Sequence, residues 1–241
     1  MFILSSNKKL EPELSGFDRL YAYPNIPNIT PEHMIILDSG AFALSCKKQK
    51  MDDEYIQQLA KHYEQYVQYK NVYFIAPDVF KFPELSMRQF LYFRSICNVD
   101  VAPVIQFKSP TADIFSAKKQ IKFYKEHAPD LRLICISNHA FNIERQSGAI
   151  SEIVKMIRYS WGRNIKIHVL GAGFNSKNVA DWMKTGVTSM DSVSYYSDAQ
   201  SKQKWVFGKS SVQSSSDMFK ATALFNATIA VKSALNFKVI A

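Results

Sequence analysis

The stretch MIILDSGAF at residues 34–42 decides the fold, because its apolar run stops abruptly at Asp38. The stretch TSMDSV at residues 188–193 stops in the same way at Asp191. A carboxylate directly after a buried strand loses hydration energy unless it is paired or used. Parallel strands that end like this bring their last residues together at one end of a barrel, the mouth, where barrel enzymes do their chemistry. The two stretches therefore predict an enzyme with two working carboxylates.

Working outward, short apolar runs alternate with segments of helical periodicity along the chain. Continuous apolar strands suit a parallel sheet covered on both faces, and strand–helix alternation is typical of βαβ units. About eight strands predict one α/β domain over residues 1–241, a TIM-like (β/α)8 barrel, regular or irregular. Segment 6–33, rich in Pro, Asn and Tyr, breaks the rhythm and is predicted to be an inserted loop with a short helix. The predicted strands are 2–5, 34–38, 72–76, 101–106, 131–137, 165–170 and 188–193, with 204–207 weaker, and the predicted helices are 53–69, 84–96, 112–127, 148–160, 176–185 and 216–233.

Length and composition fit a single globular domain. The chain has 241 residues, 47% of them hydrophobic, and barrels of this size fold as one unit. No apolar stretch approaches the roughly 18 residues that span a bilayer, so we expect no membrane partner. Cys46, Cys97 and Cys135 are far apart, which predicts reduced thiols in a cytoplasmic protein. Neither the cysteines nor the histidines have metal-ligand spacing, so the sequence predicts no metal and no cofactor.

The net charge of +9 favours a polyanionic partner, with a merely basic soluble protein as the competing interpretation. Clustering favours the partner, because one lysine group follows the Asp38 strand and another follows the Asp191 strand. Residues 195–205 also mix aromatic and cationic side chains, as sites that bind opened nucleic-acid strands do. A tyrosine-rich surface loop without this role is the competing interpretation of the same composition. The predicted nucleic-acid contacts are Lys47, Lys48, Lys50, Tyr195, Tyr196, Lys202, Lys204, Trp205 and Lys209.

Six successive strands end in polar or glycine-rich residues, which a purely structural barrel would not need. A single such residue is more often a helix N-cap than a catalyst, whereas the whole series favours a site. His168 is different, because it lies inside a strand and is interpreted as a packed barrel residue. The strand-end candidates are Asp38, Ser39, Gly40, Asp78, Gln106, Phe107, Ser137, Asn138, His139, Gly171, Gly173 and Asp191.

In their order and spacing, the motifs DSGAF, APD, VIQ, LGAG and MDSV resemble the tRNA-guanine transglycosylase superfamily. They resemble most its divergent branch that acts on DNA in deazaguanine insertion. The resemblance spans residues 34–195 and implies a barrel-mouth aspartate that attacks C1′ of a nucleoside and displaces the base. Asp191 matches this nucleophile, and Asp38 matches a second aspartate that handles protons.

The same resemblance implies contacts to the base. Asp78 and Gln106 match positions that contact the base edge, and Gly171 and Gly173 match a strand end that lines the same pocket. On chemical grounds, breaking an N-glycosidic bond develops positive charge on the sugar, which a nearby carboxylate stabilises. The departing base leaves more easily when protonated, which calls for a second, partly neutral carboxyl group.

The chain departs from the tRNA enzymes in several places. It has no cysteine beyond Cys135 and therefore lacks their zinc-binding segment, and it is short for the family. Phe107 and Lys108 stand where those enzymes have glycines that give room for a flat base. Residues 136–139 replace their glycine-rich wall. We therefore expect DNA rather than tRNA as the substrate, and a modified base in the pocket.

These inferences predict a DNA glycosylase that leaves an abasic site, because water resolves the intermediate where no incoming base is held. Base exchange on DNA or tRNA is the alternative within this chemistry. A catalytically dead nucleic-acid-binding barrel is the non-enzyme alternative, although buried negative charge gives no advantage in binding a polyanion. A barrel for a phosphorylated metabolite would need a glycine-rich loop late in the chain, which residues 202–208 do not resemble. The oligomeric state, the target base and a role in antiviral defence stay open.

Overall fold

The computed structural model describes residues 2–5, 14–108, 113–138, 147–172, 182–192, 203–206, 209–213, 222–223 and 226–228. Within them, one parallel sheet follows the predicted strand–helix alternation. Its strands are β1 (Phe2–Ser5), β2 (Arg19–Ala22), β3 (Ile35–Asp38), β4 (Val72–Ile75), β5 (Val101–Ala102), β6 (Val104–Ile105), β7 (Leu133–Ser137), β8 (Lys166–Leu170) and β9 (Ser189–Ser192).

The sheet closes on itself through one strand that Pro103 divides. The hydrogen-bonded order is β5-β4-β3-β2-β1-β9-β8-β7-β6, so β5 and β6, which follow each other in the chain, are its two edges. Proline has no N–H to donate, which interrupts the ladder there. Backbone bonds of 2.8 Å from Ala76 N to Ala102 O and of 2.9 Å from Cys135 N to Pro103 O hold the divided strand to the β4 side and to the β7 side. The nine strands therefore fill eight positions of a nearly closed barrel, which confirms the predicted irregular TIM-like α/β fold.

Two parts of the strand prediction were wrong. Segment 6–33 is not only an inserted loop, because β2 pairs in parallel with both β1 and β3 and fills a barrel position. Residues 204–207 do not form the eighth barrel strand. Instead, β10 (Gln203–Val206) and β11 (Lys209–Gln213) form a separate antiparallel two-stranded sheet. A short helix was expected within segment 6–33; residues 14–33 contain none, and residues 6–13 lie outside the described residues.

The helices lie between the strands, and all but the first, which was not predicted, are near their predicted positions. They are α1 (Ala41–Cys46), α2 (Asp53–Glu64), α3 (Pro83–Ile96), α4 (Ile114–His127) and α5 (Ser147–Trp161), and residues 182–185, 222–223 and 226–228 are also helical.

Helix α2 shows why these segments fold as they do. It begins after Asp52, whose carboxylate accepts from Tyr55 N across 2.9 Å, a typical N-cap. Its buried residues have the three- and four-residue spacing that places them on one face towards the sheet. Each fully buried Leu or Ile contributes about 1.5–3 kcal/mol relative to exposure. The buried residues are Ile56, Leu59, Ala60 and Tyr63.

Two hydrophobic layers follow from the period-two alternation of side chains along the strands. One layer lies between strands and helices and contains buried residues from both. The other consists of strand residues that fill the barrel interior, mainly Ile3, Leu20, Ile36, Ile75, Ala102, Val104, Leu133 and Cys135. Residues above this inner layer point towards the mouth, at the carboxyl ends of the strands.

The three cysteines are free, with Cys46 exposed and Cys97 and Cys135 buried. Across the described ranges, none of the helices combines the length and apolarity needed to cross a membrane.

Candidate active site

Alternation along neighbouring strands brings the polar strand-end residues together. Inward-facing positions at the mouth include Ser5 on β1, Asp38 on β3, His168 on β8 and Asp191 on β9. The register pairs Ile3 with Asp191, so Ser5 lies beyond the aspartate along the neighbouring strand. Hydrogen bonds join Ser5 and His168 to Asp191, and Asp38 interacts electrostatically with Asp191 and His168, so the four side chains form one polar cluster above the inner hydrophobic layer.

Asp191 is held by three donors from three different parts of the chain. Ser5 Oγ donates to Oδ2 across 3.0 Å, and Gly171 N donates to Oδ1 across 2.9 Å. His168 Nε2 lies 3.1 Å from the same Oδ1. Hydrogen bonds that converge on a carboxylate stabilise its negative charge. The arrangement therefore fixes the position of the Asp191 carboxyl group at the mouth.

His168 is oriented in turn by Ser189, since its Nδ1 lies 2.9 Å from Ser189 Oγ. Both contacts are satisfied by a neutral imidazole that donates from Nε2 to Asp191 and accepts the Ser189 hydroxyl at Nδ1. His168 is fully buried, as expected of a packed barrel residue. It also belongs to the polar cluster at the mouth, which the sequence interpretation missed.

Asp38 supplies the second carboxyl group. Gly40 N donates to its Oδ2 across 3.1 Å, and the side chain is half-buried. The pKa of Asp38 is raised from 3.8 to about 6, first by burial and then by the negative charge of Asp191, against the opposing effect of the Gly40 and Ser39 backbone donors. A group with a pKa near 6 is partly protonated close to neutral pH and can give or take a proton.

Gly40 is required by the backbone geometry next to Asp38. Its φ of 78° lies in the left-handed region, and an added Cβ would stand 2.9 Å from both Tyr23 O and the Tyr55 hydroxyl. Tyr55 donates from that hydroxyl to Ser39 O across 2.7 Å. Glycine therefore permits the tight turn that aims the Gly40 N–H at Asp38.

Asp78, Ser39 and Gln106 form a second polar group beside the two carboxylates. Gln106 Nε2 donates to Asp78 Oδ2, and Ser39 Oγ donates to Asp78 Oδ1 across 3.4 Å. Burial, and next the negative charge of Asp38, raise the pKa of Asp78 to about 7. Asp78 can therefore present either a proton or a lone pair near neutral pH.

Gln106 is held in place on its backbone and on its side chain. Gln120 of α4 accepts from Gln106 N at Oε1 and donates from Nε2 to Gln106 O, both across 2.9 Å. Lys81 N donates to Gln106 Oε1 across 3.4 Å. A buried amide with this many partners keeps one orientation, so Gln106 fixes Asp78 in turn.

The carboxyl end of β7 supplies Ser137 and Asn138, both almost fully buried. Asn138 Nδ2 donates to Gly171 O across 3.1 Å, which links the end of β7 to the residue after β8, whose N–H holds Asp191. Asn138 Oδ1 is buried without a hydrogen-bond partner among the described residues. Gly171 has a φ of 65°, in the left-handed region that favours glycine.

Phe107 corrects one site prediction. We expected it to face the substrate, but its side chain is fully buried in the layer between the strands and the helices. The reason is alternation, because Gln106 faces the barrel and the next side chain faces away. Lys108 is exposed and forms an ion pair of 3.2 Å with Glu84, a surface contact of small energetic weight.

The predicted nucleic-acid contacts are only partly within the described residues. Lys47, Lys48 and Lys50 are exposed between α1 and α2, at the mouth end where α2 begins. Lys204 and Trp205 lie in β10 and Lys209 in β11, and their side chains fall outside the description. Outside the described residues altogether are His139, Gly173, Tyr195, Tyr196 and Lys202.

Sequence reasoning missed several residues of the cluster. Ser5 carried a usable signal, because it ends the first strand as Asp38 ends the third. Ser189 lies two residues before Asp191 and so faces the same side, which the alternation rule predicts. Gln120 and Tyr55 lie on helices, where no strand-end pattern could have indicated them.

Neither the protein-family models nor the curated proteins include a match to this chain. Among the described residues, no group of three or more His, Cys, Asp or Glu side chains is arranged to hold a metal ion.

Proposed function

We propose that the protein cleaves the N-glycosidic bond of a nucleobase in nucleic acid, with DNA as the favoured substrate. The observation that carries the proposal is the pairing of two unlike carboxyl groups in one mouth. Asp191 is surrounded by three donors, whereas burial raises the pKa of Asp38 to about 6. Carboxyl groups whose environments differ in this way divide into a nucleophile or charge stabiliser and a proton donor.

In the proposed first step, an oxygen of Asp191 attacks C1′ while the bond from C1′ to the base nitrogen breaks. Asp38 gives its proton to the departing base, so the base leaves neutral and Asp38 becomes ionised. The sugar is then either bound to Asp191 as an ester or stabilised by its charge as an oxocarbenium ion.

In the proposed second step, water replaces the base. Ionised Asp38 takes a proton from the water, whose oxygen bonds to C1′ while the bond to Asp191 breaks. Asp38 and Asp191 return to their starting states, and the products are a free base and an abasic site. A positioned acid–base group contributes about 10²–10⁴-fold to such steps.

Base recognition is assigned to the polar group beside the carboxylates. Asp78 can donate or accept, and the unpaired Oδ1 of Asn138 can accept from a base N–H. A polar pocket of this kind rejects bases that leave its buried groups unpaired. The base must leave its stack to reach this depth, so the substrate is an extruded or single-stranded nucleotide.

Excision and exchange differ in whether the pocket holds a second base. The side chains of Ser137 and Asn138 favour excision, because they fill space that glycines would leave for an incoming base. Phe107 packs away from the mouth, so it does not bear on the choice between excision and exchange. The proposal of excision therefore rests on Ser137 and Asn138 alone.

The proposal is tested by incubating the protein with normal and base-modified DNA and with tRNA, in the presence of isotopically labelled guanine and deazaguanine precursors. We expect a free base by mass spectrometry and alkali-labile sites in DNA. Incorporation of label without abasic sites would replace excision by exchange. No released base from any of these substrates would overturn the proposed chemistry.

A further inference from the structure

An exposed aromatic patch lies on the rim of the mouth beside the two raised-pKa carboxyl groups. Phe42 follows the Asp38 strand end as the second residue of α1, and Phe80 and Phe82 follow Asp78 in the turn before α3. Phe42 and Phe82 are 61% and 54% exposed, which is high for phenylalanine. We call Phe42, Phe80, Lys81 and Phe82 the aromatic rim.

The rim is built as a fixed surface. The rings of Phe42 and Phe80 lie edge to face with centroids 5.2 Å apart, which joins the two loops. Lys81 Nζ lies 5.4 Å from the Phe80 centroid and covers that ring. The Phe42 ring is thus supported on one side by Phe80 while most of it remains open to solvent.

The turn that carries the rim is anchored to the base-recognition group. Lys81 N bonds to Gln106 Oε1, the same side chain that donates to Asp78. Ser86 Oγ accepts from Val79 N across 2.9 Å at the start of the turn. Lys81 has a φ of 70°, a left-handed conformation that a lysine adopts only where its surroundings impose it.

Charge complementarity indicates the occupant. Lys47, Lys48 and Lys50 are exposed on the segment that follows α1, and Lys81 is exposed within the rim itself. A cationic rim with an open aromatic ring matches an unpaired nucleotide, which offers a phosphate and a flat base. An apolar protein surface would gain nothing from the lysines.

We propose that the aromatic rim stacks an unpaired base that flanks the target nucleotide and so holds the opened strand at the mouth. The inference rests on the proposed function for its partner, and it adds that the enzyme binds its substrate as an extruded or single-stranded segment. Stacking accounts for the exposed rings, and the neighbouring lysines contact the phosphates.

The test compares wild type with the Phe42→Ala/Phe82→Ala double variant by fluorescence anisotropy. The probes are a single-stranded oligothymidylate and an abasic oligomer of the same length. Alanine at a stacking position weakens binding by about 5- to 150-fold per base. We expect wild type to prefer oligothymidylate, and the double variant to lose this preference while binding the abasic oligomer as before.

Two matched variants separate stacking from other effects. Tyr159→Ala removes an aromatic side chain that is 94% exposed near the end of α5, away from the mouth, and should leave both probes unaffected. Lys47→Gln should lower the salt slope for both probes by about 0.7 if it removes one phosphate contact. The double variant should keep the wild-type slope, since it removes no charge.

Equal binding of both probes by wild type would overturn the stacking proposal, as would an equal loss on both probes in the double variant. Sedimentation that shows a dimer lost in the double variant, with binding unchanged, would assign the rim to contact between copies instead. Base release is measured separately. If stacking holds but no base is released, the proposed chemistry fails and the rim inference survives.

Discussion

His168 Nε2 lies 3.1 Å from Asp191 Oδ1, and the imidazole is fully buried beneath the mouth. Ser189 sets the imidazole orientation from β9, the strand that also carries Asp191. The histidine therefore acts on the carboxylate from below, without reaching the substrate. In the proposed mechanism it is a positioning residue that aims Asp191 at C1′.

Replacement of His168 tests this role. We expect His168→Ala to lower kcat for base release by about 10²-fold with little change in KM, because a misplaced reacting group loses rate rather than affinity. Leu133→Ala is the control, since it opens a cavity in the inner hydrophobic layer below the polar cluster. An equal loss of kcat in both variants would reduce His168 to a packing residue.

The pH dependence of stability tests the burial of Asp78. Unfolded Asp78 loses its proton near pH 4, whereas the folded pKa is about 7, so this group lowers stability as pH rises between those values. We expect Asp78→Asn to raise the free energy of unfolding above pH 7 by about 2–4 kcal/mol. Below about pH 4 the difference should vanish.

Denaturant unfolding of Asp78→Asn across this pH range gives the measurement. Asp130→Asn serves as the control, because Asp130 is exposed and its carboxyl group stays in water in both states. If the difference in free energy of unfolding between Asp78→Asn and wild type did not change with pH, ionisation of Asp78 would not destabilise the folded protein, which contradicts the prediction.

Asp38 should govern the pH profile of base release. Its pKa of about 6 means that the protonated fraction, and with it the general-acid step, declines as pH rises above that value. We expect Asp38→Asn to lower release of a neutral base by about 10²–10⁴-fold and to abolish this decline. An N7-methylated purine leaves without protonation, so its release in a single turnover, which precedes the water step, should be much less affected. Equal losses on both bases would contradict the acid role.

Gly40→Ala should damage the site through the backbone. The added Cβ meets Tyr23 O and the Tyr55 hydroxyl, so the turn must shift the N–H that holds Asp38. Gly162→Ala is a matched control, with a φ of 81° and no atom within 4 Å of the added Cβ. Thermal unfolding should show a loss of about 1–3 kcal/mol from left-handed strain in both, and only Gly40→Ala should lose base release. A fully active Gly40→Ala would separate this turn from catalysis.

The alternation of apolar strands and helices was enough to predict the barrel, but not all of its strands. β2 was missed because Arg19 opens a short strand inside a segment rich in Pro and Asn. Its guanidinium is buried and donates to Asn28 O across 2.8 Å and to Thr30 Oγ1 across 3.0 Å. Such tertiary contacts stabilise the buried charge of Arg19. Local sequence does not show these contacts, so an arginine at this position argues against a buried strand.

Strand-end residues could be predicted because parallel strands meet at one mouth, whatever their order. The contacts between these side chains could not be predicted, because they depend on the register of neighbouring strands. His168 contacts Asp191 only since β8 and β9 are neighbours with His168 opposite Ser189. The prediction that Phe107 faces the substrate was wrong because it came from a motif. A motif gives the position of a residue along the chain but not the face on which its side chain lies.

The central claim is that Asp191 acts at C1′, and the initial rate of base release tests it most directly. Wild type, Asp191→Asn and the control Ser192→Ala would be compared on the same DNA, with circular dichroism and oligonucleotide binding confirming fold and affinity. We expect base release to fall to the assay background in Asp191→Asn alone, with binding retained. Release by Asp191→Asn at a rate close to that of wild type would contradict the account.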